Sequence, residues 1–273
     1  MSFLFYTAVG LIAATLGSLV GLGGGIIIVP ALVYLGPLFL GEHISVATAV
    51  GTSLAVLIFT ALSSTMTFFK QKRVDFKSGW LYFITCGPGA MLGSYTTQFV
   101  NAKSFQLSFG FFMLLMAILL VLRDYMKPLN IQWRIERTYT DGSGRTFQYG
   151  YSVLPALVTG LAVGFVSGLF GIGGGSLFVP VMVLLFRYPP HVATATSMFV
   201  ILLSSIMGSF THLGLGEVDL WMVLGLAPSA LVGGWLGAQI ASRLSSKKLL
   251  WVLRVTFVVV SVKMIWEGLY LTA

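Results

Sequence analysis

From Ser2 to Gly41 the chain carries no charged side chain. That run exceeds the roughly 20 apolar residues a helix needs to cross the hydrocarbon core of a bilayer. Apolar segments of this kind fill most of the sequence. The first half offers A, Phe3–Val20; B, Ile26–Leu40, which is short; C, Val46–Phe69; D, Ser78–Val100; and E, Lys103–Leu122. The second half offers A′, Val153–Phe170; B′, Ser176–Phe186; C′, Val192–Leu213; D′, Leu220–Ala241; and E′, Lys247–Leu271. Composition agrees, with 57% hydrophobic and 9% charged residues, where a soluble domain carries about 25% charged residues. The expected fold class is an all-α integral membrane protein.

Helix-breaking residues interrupt these segments twice. "GLGGGIIIVP" stands at Gly21–Pro30 and "GIGGGSLFVP" at Gly171–Pro180. Further matches keep the same order: "VATAVGTS" at Val46–Ser53 with "VATATS" at Val192–Ser197, "VDF" at Val74–Phe76 with "VDL" at Val218–Leu220, and "GPGAMLGS" at Gly87–Ser94 with "APSALVGG" at Ala227–Gly234. Ordered self-similarity marks an internal repeat. The expected division is a first transmembrane repeat over 1–122, a cytoplasmic linker over 123–152 and a second repeat over 153–273, forming one membrane domain. The linker has no long apolar run. A small hairpin or an amphipathic piece is expected around Asp141–Gly144.

Charge sets the orientation. Cytoplasmic loops collect Lys and Arg, so the net charge of +8 is read as loop charge and not as a nucleic-acid footprint. The C–D loop has Lys70, Lys72, Arg73 and Lys77; the linker has Arg123, Lys127, Arg134, Arg137 and Arg145. In the second half the basic loop is D′–E′, with Arg243, Lys247 and Lys248, while C′–D′ holds Glu217 and Asp219. The two halves are therefore expected to be inverted. This needs an odd number of crossings per half, given by five spans or by a re-entrant A–B hairpin. Both termini are then extracytoplasmic. No cleavable signal peptide is expected. The single cysteine, Cys86, excludes an intrachain disulfide and reads as an apolar packing residue.

Inverted repeats with discontinuous helices are characteristic of secondary transporters. Backbone freed at a break is tolerated only against protein or a water-filled cavity, and free helix N–H groups suit anions. The glycine clusters admit three readings. A dinucleotide fingerprint lacks its last glycine, because Ile26 and Ser176 stand there, and lacks a strand–turn–helix context. Close helix packing through small residues explains the glycines. A broken helix at a substrate site also explains the proline five residues later, Pro30 and Pro180.

Candidate substrate ligands follow from that third reading. They are the N–H groups of Gly23, Gly24, Gly25, Gly173, Gly174 and Gly175, with the hydroxyls of Thr52, Ser53, Thr196 and Ser197. Gly21, Pro30, Gly171 and Pro180 are the helix-break residues. Thr48 and Thr194 belong to the same hydroxyl clusters, for which helix capping or interhelical bonding is the structural alternative. All eight acids fall in loops or near segment ends. A cation normally takes anionic oxygen ligands, so a cation substrate is disfavoured. Arg254 and Lys263 read as snorkelling side chains. His43, His191 and His212 stand at segment ends; a histidine can couple protons near neutral pH, but at a membrane interface these read as solvated polar groups. No metal spacing, nucleophile or buried carboxylate pair is present, so neither a metal, a cofactor nor an enzymatic activity is expected. The expected partners are a small anion and the lipid bilayer; a homo-oligomer is left open.

The doubled "GLGGGIIIVPAL" and "GIGGGSLFVPVM", each followed by "VATAVGTS" or "VATATS", resemble the TauE/SafE family, also grouped as toluene-sulfonate uptake permeases. The resemblance covers nearly the whole chain outside the linker. It implies a secondary transporter of the cell inner membrane that exports sulfite, sulfoacetate or other organosulfonates. Its motif residues fall on Gly21, Gly23–Gly25, Pro30, Thr52 and Ser53, and on Gly171, Gly173–Gly175, Pro180, Thr196 and Ser197. Two alternatives stand beside this expectation: a transporter or uptake permease for another small anion such as a carboxylate, and a membrane sensor or assembly factor without flux. The absence of a signalling domain or long charged tail favours transport.

Overall fold

The computed structural model describes residues 2–41, 43–122, 133–140, 146–244 and 246–270. Glu42, Arg123, Asp124, Lys127, Arg145 and the expected turn at Asp141–Gly144 lie outside the described residues, as do the side chains of Lys247 and Glu267.

The first half contains α1 (Ser2–Val20), α2 (Gly25–Pro30), a π-helical turn (Ala31–Leu35), α3 (Gly36–Leu40), α4 (Val46–Lys70), α5 (Phe76–Thr97) and α6 (Ala102–Leu122). A hairpin, β1 (Ile135–Thr140) and β2 (Thr146–Tyr151), follows. The second half contains α7 (Val153–Phe170), α8 (Gly175–Leu184), α9 (Pro190–Gly214), α10 (Leu220–Arg243) and α11 (Ser246–Tyr270). Among the described residues, α1, α4, α7, α9 and α10 are long and apolar enough to cross a membrane. The chain is a multi-pass α-helical membrane protein, with the hairpin its one departure from all-α structure among the described residues.

Local chemistry sets the boundaries. Ser45, Asp75 and Asp219 cap α4, α5 and α10 by accepting hydrogen bonds from Thr48 N (3.1 Å), Ser78 N (3.3 Å) and Met222 N (3.0 Å), which satisfies one exposed N–H at each helix start. Pro30 has no N–H to donate, and the helix widens into the π-helical turn directly after it. Segment B is therefore α2, the turn and α3 in series.

The long helices pack across the halves. At the centre α4 and α9 run antiparallel, with Gly51 against His212 and Leu54 against Gly208. Helix α5 lies parallel to α7, where Gly160, Gly164 and Gly168 press on the carbonyls of Tyr82, Cys86 and Ala90. Helix α1 lies parallel to α10, where Gly233 and Gly237 press on the carbonyls of Leu11 and Thr15. Small residues at four-residue spacing let backbones approach, which matters in lipid because burial from water does not drive helix association there. Helices α6 and α11 pair antiparallel, Gly110 meeting Ile265 and Gly268 meeting Leu107. Phe105, Phe109 and Phe112 seat that pair on Phe170. Large apolar side chains such as Phe3, Leu154, Trp221 and Trp266 are exposed on the outside of this bundle.

Candidate functional site

The two glycine breaks cross at the centre of the molecule. Gly21, Gly23 and Gly24 have φ of 84°, 81° and 103°; Gly171, Gly173 and Gly174 have φ of 68°, 70° and 74°. This left-handed conformation is open to glycine and strained for other residues. A β-carbon on Gly25 would overlap the Gly171 carbonyl oxygen, and one on Gly175 would overlap the Gly21 carbonyl oxygen. Each break thus lies against the backbone of the other. Gly23 and Gly173 both face Leu57 and Ile201, from the two central helices.

At each break the first helical N–H groups to find carbonyl partners belong to the third and fourth residues after the αL glycine. Ile27 N and Ile28 N donate to Gly24 O at 3.0 and 3.1 Å; Leu177 N and Phe178 N donate to Gly174 O at 3.1 Å each. Among the described residues, Gly25 N, Ile26 N and Gly175 N make no backbone hydrogen bond outside their helices. A cavity of about 10 Å³, lined by residues including Leu16, Val20, Leu22 and Ile26, lies beside the first break. This volume is at the lower limit for a single water. An oxyanion needs the helices to part.

The candidate hydroxyls all join one half to the other. Ser53 donates to Gly171 O at 2.8 Å and Ser197 to Gly21 O at 2.9 Å. Thr52 Oγ1 accepts from Asp219 N at 3.1 Å, and Thr196 Oγ1 accepts from Asp75 N at 3.0 Å. All four side chains are buried. The two serines direct their protons at protein carbonyls. The two threonines each keep an O–H while accepting from the capping aspartate of the opposite half. Thr48 pairs with Ser45 at 2.8 Å in the cap of α4, and Thr194 lies at the first break, 3.5 Å from Val20 O. Pro30 and Pro180 are inside the helices that follow the breaks. The structure therefore brings the two glycine breaks together at one crossing, with Ser53 and Ser197 on their leading carbonyls. Thr52 and Thr196 lie instead toward opposite ends of the α4–α9 pair, and Gly23 N is already engaged, donating to Gly17 O at 3.2 Å.

One sequence expectation needs correction, and one feature was missed. His212 is not a solvated group. Its ring is fully buried against Gly51, and Nδ1 lies 2.7 Å from Glu217 Oε2. The helix end where it stands is covered by the start of α4, which sequence position alone does not show. Lys263 is exposed and lies 5.5 Å from the Tyr34 ring centroid, a cation–π contact compatible with a snorkelling side chain. The missed feature is the docking of the hairpin. Tyr149 donates to Asp75 Oδ2 at 3.1 Å, Gly150 N donates to Phe186 O at 3.2 Å, and Trp133 packs on Phe186. The aromatic residues of β2 were its only signal in the sequence.

The description "Sulfite exporter TauE/SafE" matches residues 6–264, a span that contains both breaks and both hydroxyl pairs. The chain belongs to the TauE/SafE family. It is similar to the "probable membrane transporter protein YunE" of Bacillus subtilis, at 45% identity covering 99% of this chain and 100% of the relative. It is also similar to a probable membrane transporter of Methanocaldococcus jannaschii, at 29% identity covering 88% and 87%. A third relative is YfcA of Escherichia coli, also a probable membrane transporter, at 29% identity covering 98% and 88%. No solved structure matches. Family and relatives together make this TauE/SafE chain a membrane transporter.

Proposed function

We propose that the protein is a secondary transporter of the cell inner membrane that exports small sulfur-containing oxyanions, sulfite, sulfoacetate or other organosulfonates, by alternating access. The observation that carries this reading is the reciprocal crossing of the two glycine breaks. The two breaks lie against each other, Gly25 N, Ile26 N and Gly175 N make no backbone hydrogen bond outside their helices among the described residues, and no carboxylate is among the candidate ligands, which supports the reading. Neutral donors converging from two directions suit an anion with several oxygens. Because each break rests on the opposite half, a rocking of the halves loosens both together. The family description supports sulfite as the substrate to test first.

In this reading the halves are inverted-topology repeats, each with five spans or with a re-entrant A–B hairpin, and both termini are extracytoplasmic. The contacts support it: the Thr52–Asp219 and Thr196–Asp75 bonds stand at opposite ends of the antiparallel α4–α9 pair.

Counterflow in proteoliposomes tests the substrate. Labelled sulfite and sulfoacetate are expected to exchange against their own kind faster than sulfate or a simple carboxylate. A panel in which only carboxylates exchange would replace the sulfur oxyanion with another anion. The absence of exchange for every anion would favour a sensor or assembly role.

A further inference from the structure

One face of α9 is polar where a membrane helix has no need of polarity. Ser205, Gly208, Ser209 and His212 follow at i, i+3, i+4 and i+7, so they line one face over roughly 10 Å of helix. The face begins beside the glycine crossing, where Ser205 Oγ lies 3.5 Å from the β-position of Gly173. It ends at His212. Ser94 of α5 stands against Gly208, and Ser167 of α7 stands beside Gly174. Ser94, Ser167, Ser205, Ser209 and His212 are each at least nine-tenths buried. Yet the hydroxyls of the four serines, and Nε2 of His212, make no hydrogen bond within the protein. Buried polar groups without protein partners require an explanation; a file of hydrogen-bonding solvent and a mobile proton supplies one.

The first half lacks this arrangement. Counted from the Thr52–Ser53 and Thr196–Ser197 pairs, Phe68 holds the place of His212 and Ser64 that of Gly208. Ser64 bonds to Ser18 at 2.7 Å, and Ser18 donates to Gly234 O at 2.7 Å. Phe68 is buried and apolar.

We propose that His212 and Glu217 form the site for a co-transported proton, connected to the glycine crossing along this face of α9. The proposal rests on the transport reading above and adds the coupling ion. Glu217 is partly exposed while His212 is enclosed, so the pair reaches from solvent to the interior. Glu217 N donates to His212 O at 2.9 Å, which fixes the short loop and its carboxylate. In the neutral ring, Nδ1–H donates to Glu217 and Nε2 is the free base. Uptake of a proton at Nε2 makes both nitrogens donors; the Gly168 backbone is a further neighbour of the ring. Loss of that proton from Nε2 returns the neutral ring. Around His212 the neighbouring elements supply Gly51 from α4 and Gly168 from α7, neither of which titrates. Asp219, on the same loop, caps α10 through Met222 N. Glu217 is thus the charge set against the ring.

Two measurements test the site independently. The first uses purified full-length protein carrying ¹⁵N-histidine together with His43→Gln and His191→Gln, so that His212 supplies the sole signal. Its ring is expected to change protonation between about pH 5 and 9, with proton binding about tenfold weaker after Glu217→Gln, which removes the opposing charge. A ring that keeps one protonation state across that range overturns the proposal. The second uses proteoliposomes with an internal pH dye and sulfoacetate, which does not titrate near neutral pH. Protons are expected to move with sulfoacetate, and the ratio of protons to sulfoacetate is expected to fall about tenfold in His212→Gln and in Glu217→Gln. An unchanged ratio in both variants overturns it. If the wild type carries no sulfoacetate, the substrate reading fails, and the histidine titration still decides the proton site.

Discussion

Ser53 and Ser197 show what a single buried hydroxyl does in this molecule. Each donates to the leading glycine carbonyl of the opposite break, a group that lipid cannot satisfy. Ser53→Ala and Ser197→Ala are each expected to lower stability by about 1–3 kcal/mol, the cost of an orphaned buried acceptor. Thermal unfolding in detergent should show similar falls for both. Thr7→Val is the control, because that hydroxyl bonds only to Phe3 O within α1, and its melting temperature should not move. The glycines give a sharper contrast. Gly25→Ala and Gly175→Ala put a methyl group into a backbone carbonyl and are expected to prevent accumulation of folded protein. Gly214→Ala has open space around it and should express normally, as gel filtration of detergent extracts would show. The sequence marked these serines and glycines as special. It left open whether the hydroxyls face a ligand or a carbonyl, because the carbonyls belong to Gly171 and Gly21, in the opposite half of the chain from their serines.

At the scale of elements, the hairpin β1–β2 clasps the start of α5 to the connection between α8 and α9. The Tyr149 hydroxyl is pushed above the ordinary tyrosine range by burial and by the adjacent Asp75 carboxylate, both of which oppose the phenolate. A proton held more tightly in the docked state stabilises docking fully below the ordinary tyrosine pKa of about 10. That contribution is lost as pH rises through the raised value. Limited proteolysis within 133–151 should therefore stay slow through neutral pH and quicken only in strongly alkaline buffer. Tyr149→Phe should be cut faster at neutral pH and show a smaller alkaline step. A hairpin around Asp141–Gly144 was readable from its turn residues, and the paired strands on either side agree with it. Its docking was not readable, since the Phe186 and Tyr188 surface it covers exists only once α8 and α9 are in place.

Across the whole molecule the halves are interlocked: α1 lies on α10, α7 lies on α5, and α4 crosses α9. A specific protease site inserted within 141–145, once cut, should leave both pieces co-migrating on gel filtration, held by these contacts. Separation into two folded halves would show that each repeat buries its own interface. The proposed orientation makes its own prediction: reporter fusions after Ala273 should be active on the extracytoplasmic side, and a cytoplasmic C-terminus would overturn the inverted arrangement. With no carboxylate among the candidate ligands at the crossing, flux should persist when sodium is replaced by potassium or choline.

The sequence by itself determined the membrane class, the apolar helices, the position of both breaks and the ordered repetition of motifs. Apolar length, glycine clusters and proline act on the backbone within a few residues, so they are legible without knowing the fold. Only the tertiary structure decided that the breaks cross, that Thr52 and Ser53 serve Asp219 and Gly171, that His212 is enclosed beside Glu217, and that the linker hairpin is docked. Most of these depend on partners from distant parts of the chain. Burial and hydrogen-bond satisfaction are properties of what the folded chain brings alongside a residue, and the order of residues does not state them.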